Sequence, residues 1–132
     1  MEYQTTLKSE IKKTGKGLHT GKTVNVTIKP AAACSGIVFK RTDLEEPVVI
    51  PAIVDYVCDT SRSTTLGKGK VKIATVEHLL SALKGMKVDN AVIEVEGPEI
   101  PILDGSAHIW VEEIKKAGIA QLDQERTYTA IT

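Results

Sequence analysis

Residues 72–85 read KIATVEHLLSALKG and decide most of the fold. Apolar side chains recur in this stretch at i, i+3, i+4 and i+7, which places them on one face of an α-helix. They are Val76, Leu79, Leu80 and Leu83. Gly85 follows as a helix stop. The stretch therefore predicts an amphipathic helix whose apolar face packs against another layer of structure.

β-branched runs on both sides of this helix predict that other layer. The segment KTVNVTIKP (22–30) alternates apolar and polar residues, and GIVFKR (36–41) and NAVIEVEG (90–97) carry similar runs. Upstream, QTTLKSEIKKTGKG (4–17) is predicted to form one first strand that turns back into the strand around Val24. These segments predict a sheet that opens with a hairpin.

A second helix is predicted over AHIWVEEIKKAG (107–118), with Ser106 as N-cap and Gly118 as the stop. Its inward residues are predicted to be Ile109, Trp110 and Ile114. The preceding GPEIPILDGSA (97–107), in which two prolines bracket Glu99 and Ile100, is interpreted as a rigid connection.

Residues 52–74 are less regular, because a glycine-lysine turn interrupts short β-type pieces. Within this region only one strand, at Val71–Ile73, is predicted, so residues 52–74 are interpreted as a small insert. The fold class is therefore α+β, a two-layer sandwich in which one mainly antiparallel or mixed sheet packs against two helices. Residues 1–132 are expected to form a single domain.

Charge and composition exclude several function classes. The chain of 132 residues has 17 basic and 17 acidic residues and only 4% aromatics, so no nucleic-acid partner is expected. No apolar run reaches membrane-spanning length or resembles a secretion signal. Cys34 and Cys58 lie far apart without a CxxC pairing, and a reducing, cytoplasmic location is the expectation.

Glu77 and His78, side by side in the first helical turn, are the strongest chemical candidates. On a helical projection they and Ser81 lie away from the leucine stripe. The helix dipole favours a carboxylate and a neutral imidazole there, which suits a general base and a metal ligand. The alternative is an ordinary first-turn acid next to a solvent-facing histidine. Alanines stand four positions away from His78 on either side, so this helix offers one metal ligand and no HExxH motif.

Several blocks of sequence together resemble one enzyme family. They are GKGLHTGK (15–22), FKRTDL (39–44), TVEHLLSAL (75–83), DNAVIEVEGPEIPILDGSA (89–107) and AGI (117–119). Their order and spacing are similar to those of the N-terminal domain of UDP-3-O-acyl-N-acetylglucosamine deacetylase. That family is zinc-dependent and acts in bacterial lipid A biosynthesis.

The resemblance implies roles for particular residues. Glu77 matches the family's general base and His78 one of its zinc ligands. Leu18 and His19, in the GLHTG turn, match residues near the substrate passage and the reaction centre. Arg62 and Ser63 match an insert at the edge of the active site, although DTSRSTTL (59–66) departs from more apolar family members and leaves the acyl-chain contacts open.

The resemblance also implies a missing half. In the family, a second, similar domain supplies the other zinc ligands and much of the site for the UDP-linked acylated amino sugar. This chain is accordingly expected to correspond to the first domain alone, to need the C-terminal domain as partner, and to be inactive by itself. Whether the natural protein continues into a fused 3-hydroxyacyl-carrier-protein dehydratase stays open. The competing hypothesis is a non-enzymatic module that docks another protein through the Glu77, His78 and Ser81 face.

Overall fold

A computed structural model describes residues 3–18, 20–53, 56–60, 64–103 and 105–125. The described residues form ten strands and two helices. In chain order these are β1 (Tyr3–Leu7), β2 (Ile11–Lys16), β3 (Thr23–Pro30), β4 (Ile37–Arg41), β5 (Val48–Pro51), β6 (Val57–Asp59), β7 (Thr65–Lys68), β8 (Val71–Ile73), α1 (Glu77–Gly85), β9 (Ala91–Val95), α2 (His108–Ala117) and β10 (Ile119–Glu125).

The main sheet has five strands in the order β2-β3-β9-β4-β5. Strand β3 pairs antiparallel with both β2 and β9, and β4 pairs antiparallel with β5. Only β4 and β9 run parallel, because the chain passes through the insert and α1 between them. The sheet is thus mixed, as the sequence predicts, and the opening hairpin is β2-β3.

One face of this sheet forms the core with the two helices. Neighbouring positions on β3 and β9 place Val26 against Val95 and Ile28 against Ile93, all of them buried. The helices contribute Leu79, Leu83, Trp110 and Ile114 to the same cluster. Alternation along each strand sends the intervening polar residues to the other face. The predicted α+β class, with helices packed on a mixed sheet, is confirmed.

Helix α1 follows its predicted apolar stripe with one change. Val76, Leu79 and Leu83 are buried as expected, whereas Leu80 is only partly buried. Ala82 takes the remaining core position. The predicted apolar stripe is therefore confirmed, with Leu80 packed against the core at the margin of the buried face.

Helix α2 begins at His108, two residues after the predicted cap. The N-cap position is Ala107, which has no side-chain cap, but the hydroxyl of Ser106 accepts the N–H of His108 at 3.2 Å. Trp110 and Ile114 are buried as predicted. The prediction that Ile109 points inward is wrong: Ile109 is partly exposed to solvent and does not belong to the core cluster, whereas Val111 packs against it.

The predicted first strand is divided in two. Strand β1 pairs with β10, whereas β2 pairs with β3, so residues 8–10 separate strands of different sheets. Strand β10 is absent from the sequence-based expectations, because its polar residues give no apolar run. The main-chain N–H of Lys8 donates to Gly118 O at 2.9 Å where these two strands meet.

The insert is a three-stranded antiparallel sheet, β6-β7-β8, of which only β8 is predicted from the sequence. Arg41 ties it to the main sheet. This almost buried guanidinium donates to both carboxylate oxygens of Asp43 at 2.8 Å and to Lys72 O at 3.0 Å. Since β8 leads directly into α1, the tie fixes the strand that delivers the helix. No helix in the described ranges is both long and apolar enough to cross a membrane.

Candidate functional site

The start of α1 is fixed against the insert by the backbone of Thr64. The N–H of Thr64 donates to Glu77 Oε2 at 3.1 Å, and the N–H of Val76 donates to Thr64 O at 3.2 Å. Both the backbone N–H and the backbone carbonyl of Thr64 therefore form hydrogen bonds with the start of α1. Glu77 is partly buried, so its carboxylate is oriented by a main-chain donor and still reachable from solvent.

His78 lies beside Glu77 and is also partly buried, and Ser81 one turn further is exposed. These positions agree with the predicted orientation away from the leucine face. Among the described residues, none forms a hydrogen bond with the His78 imidazole, and no three His, Cys, Asp or Glu side chains group closely enough to hold a metal ion. Within that part of the chain, α1 can offer a metal one imidazole.

The turn between β2 and β3 carries the second set of predicted residues. The N–H of Gly17 donates to Lys22 O and that of Gly21 to Gly17 O, both at 3.0 Å. Gly21 has a φ of 68°, a conformation that glycine adopts without steric cost. Leu18, at the tip, exposes 58% of its surface. His19 lies outside the described residues.

Glu99 joins this turn to the start of α1, a link the sequence does not predict. Its carboxylate is completely buried. Oxygen Oε1 accepts the N–H of Thr20 at 3.1 Å, and Oε2 accepts the hydroxyl of Thr75 at 3.0 Å. The only sequence signal is an acid between two prolines in a segment otherwise composed of core-type residues, which points to a buried carboxylate but not to its partners.

The structure thus brings together some of the predicted residues and leaves others undescribed. Leu18 belongs to a turn that is connected through Glu99 to Thr75, two residues before Glu77. Arg62 and Ser63 lie outside the described residues, although Thr64, which follows them, contacts Glu77 directly.

The fold and this geometry define an α+β protein with a carboxylate and an imidazole adjacent at a helix start. A family model described as "LpxC: UDP-3-O-acyl N-acetylglycosamine deacetylase" matches residues 4–132. The chain therefore belongs to the LpxC family.

Curated relatives agree with this assignment. A UDP-3-O-acyl-N-acetylglucosamine deacetylase from Methylococcus capsulatus is 53% identical over 131 residues, which cover 99% of this chain and 43% of the relative. One of the same name from Legionella pneumophila is 54% identical with the same coverage. A "Bifunctional enzyme LpxC/FabZ" from Chlorobaculum tepidum is 47% identical over 98% of this chain and 28% of its own length. The chain thus spans less than half the length of these relatives.

Proposed function

We propose that this chain forms the first domain of a zinc-dependent deacetylase of lipid A biosynthesis. The complete enzyme would hydrolyse the acetamide of a UDP-3-O-(3-hydroxyacyl)-N-acetylglucosamine to acetate and the free amine, in the cytoplasm. The observation that carries the proposal is the Glu77–His78 pair, which stands at the start of α1 outside the core in a chain of the LpxC family.

His78 fits the role of one zinc ligand. Its imidazole is partly exposed, and no described residue competes for its nitrogens through a hydrogen bond. It lies in the first turn of α1, on the side of the helix that faces away from the core. Catalytic zinc usually takes three protein ligands, so the remaining two would come from residues beyond this chain.

Glu77 fits the role of general base. Its carboxylate is already oriented by the N–H of Thr64 and keeps acceptor positions for a water molecule. When bound, zinc supplies a Lewis acid that polarises the amide carbonyl and acidifies water. Glu77 takes the proton from water as the oxygen attacks the carbonyl carbon, and an acid from outside this chain protonates the departing amine.

The substrate would approach across the turn and the insert. Leu18, exposed at the tip of the β2-β3 turn, offers an apolar contact for the acyl chain. His19, Arg62 and Ser63 are proposed as further substrate contacts, on the resemblance alone.

The rest of the site would come from a second domain. The curated relatives extend well beyond the matched region, since 131 residues cover only 43% of the Methylococcus capsulatus protein. We assign to that remainder the other zinc ligands, the amine-protonating acid and most of the UDP contacts. Residues 1–132 alone are expected to bind no stoichiometric zinc and to release no acetate.

The second candidate is a docking module without enzymatic activity, favoured by the exposed side of α1. Zinc titration and acetate release, measured for residues 1–132 with and without the C-terminal domain of the same protein, separate the two. The deacetylase gains one zinc and hydrolytic activity only when both parts are present. A docking module shows neither gain, and robust hydrolysis by residues 1–132 alone would refute the divided site.

A further inference from the structure

Glu99 is the one carboxylate in the described core that the proposed mechanism does not use. It is 0% exposed, and it lies between the β2-β3 turn and the segment that precedes α1. A buried charge is costly unless hydrogen bonds compensate for the lost water. The two described donors come from opposite sides, Thr20 N–H on one oxygen and Thr75 hydroxyl on the other.

Thr75 is held in an unusual conformation by this contact and its surroundings. Its φ is 62°, which is rare for a β-branched residue because Cβ crowds the backbone there. The main chain of the preceding residue also forms hydrogen bonds with the residues on either side of Glu99. Ala74 N–H donates to Pro98 O at 2.8 Å, and Ile100 N–H donates to Ala74 O at 3.0 Å. Such a backbone conformation persists only where its neighbours enforce it.

The turn is packed as closely on the other side of the carboxylate. A Cβ added to Gly17 would overlap Glu99 Oε1, so a glycine is needed for the turn to close over the acid. The exposed Leu18 therefore stands on a turn whose two flanks, Gly17 and Thr20, both contact the same carboxylate.

We propose that Glu99 is a positioning residue that fixes Gly17 and Thr20, in the β2-β3 turn, relative to the start of α1. Through Thr75 it sets the place of Glu77 and His78, and through Thr20 the place of Leu18. The inference rests on the proposed deacetylase function, because only then do the two sides have to meet one substrate. A base displaced by about 1 Å loses up to a hundredfold in rate, so a rigid link of this kind has a direct kinetic consequence.

Thr75 offers the sharpest test, because its variants keep the core filled. Thr75→Val keeps the side-chain shape and removes the hydroxyl. Thr75→Ser keeps the hydroxyl and removes only the methyl group. Both are compared in the complete protein that carries residues 1–132, with kcat expressed per bound zinc. Glu96→Gln is the control, because Glu96 is exposed and its carboxylate accepts the side-chain N–H of Asn25 at 2.8 Å.

We expect kcat to fall at least about tenfold in Thr75→Val and to stay within about threefold of wild type in Thr75→Ser and Glu96→Gln. Wild-type kcat in Thr75→Val, or equal losses in the valine and serine variants, would overturn the role of the Glu99–Thr75 contact.

A second measurement reads the link without relying on activity. Glu99→Ala removes the acceptor for the Thr20 N–H, so that amide should exchange its hydrogen faster than in Glu96→Gln. Equal exchange of the Thr20 amide in a folded Glu99→Ala protein would contradict the link itself. If wild type releases no acetate while this exchange difference is present, the proposed function fails and the link stands.

Discussion

The carboxylate of Glu77 accepts the backbone N–H of Thr64 at 3.1 Å, which couples the proposed base to the insert. The reciprocal bond from Val76 N–H to Thr64 O makes this a small ladder between two segments distant in sequence. The position of the base is therefore set by tertiary structure as well as by the helix that carries it.

Replacing Glu77 should separate this positioning from its chemistry. Glu77→Gln keeps a carbonyl oxygen that can accept the Thr64 N–H, whereas Glu77→Ala removes the acceptor. One hydrogen bond contributes about 1 kcal/mol, so the Thr64 amide should exchange about fivefold faster in Glu77→Ala. In Glu77→Gln it should stay close to wild type. Equal exchange in wild type and Glu77→Ala would mean that the contact does not form in solution.

Alanine variants of Gly17 and Gly85 form a matched pair that tests how closely Glu99 approaches the β2-β3 turn. Gly17→Ala should lower the free energy of unfolding by about 1–3 kcal/mol, because its Cβ would overlap the buried carboxylate. Gly85→Ala adds a Cβ to open space at the end of α1 and should be neutral or stabilising by up to about 1 kcal/mol. Chemical denaturation of both variants measures the difference. Equal stabilities would show that the turn can relax away from Glu99.

The Arg41–Asp43 pair should make stability depend on acid pH. Its hydrogen bond to Arg41 lowers the pKa of Asp43 below the ordinary value of 3.8. The folded carboxylate thus holds its proton less tightly than the unfolded one. Its stabilisation is present above the ordinary pKa and is lost as the pH falls through the lowered pKa.

Asp43→Asn provides the measurement for that pH effect. The loss of unfolding free energy between about pH 5 and pH 2 should be smaller in Asp43→Asn than in wild type. The difference should be modest, because about a third of the Asp43 side chain is exposed and screened by water. Parallel pH profiles of the two proteins would contradict the assignment.

Leu79 tests the apolar stripe that the sequence predicts for α1. It is completely buried in the first turn of the helix, so Leu79→Ala should cost about 2–5 kcal/mol of unfolding free energy. Ser81→Ala, on the exposed side of the same helix, should change it by less than about 0.5 kcal/mol. Similar losses in the two variants would place the helix in a different rotation.

Local patterns predict the parts of this fold in which neighbouring residues decide the structure. The 3.6-residue spacing in α1 identifies the side that packs on the core, with Leu80 at its margin, and alternation identifies β3 and β9. Strand β10 is missed because its ladder with β1 depends on backbone pairing and not on an apolar run. The break between β1 and β2 is missed for the same reason, since each strand finds a different partner.

In the candidate site, too, local features can be predicted from the sequence and long-range contacts cannot. Glu77 and His78 can be predicted from their place on the helix and from the family resemblance. The Glu99 contacts cannot, because Thr20 lies 79 positions away in sequence and Thr75 lies 24. Proline spacing marks the segment as rigid, but only the folded chain shows which donors meet the acid.

The most direct test of the account is Glu77→Gln in the complete protein, with acetate release and bound zinc measured on the same sample. We expect turnover to fall by about two to four orders of magnitude while the zinc content stays that of wild type, because Gln keeps the Thr64 contact but cannot take a proton. Turnover near the wild-type value, with zinc still bound, would contradict the assignment of Glu77 as the base.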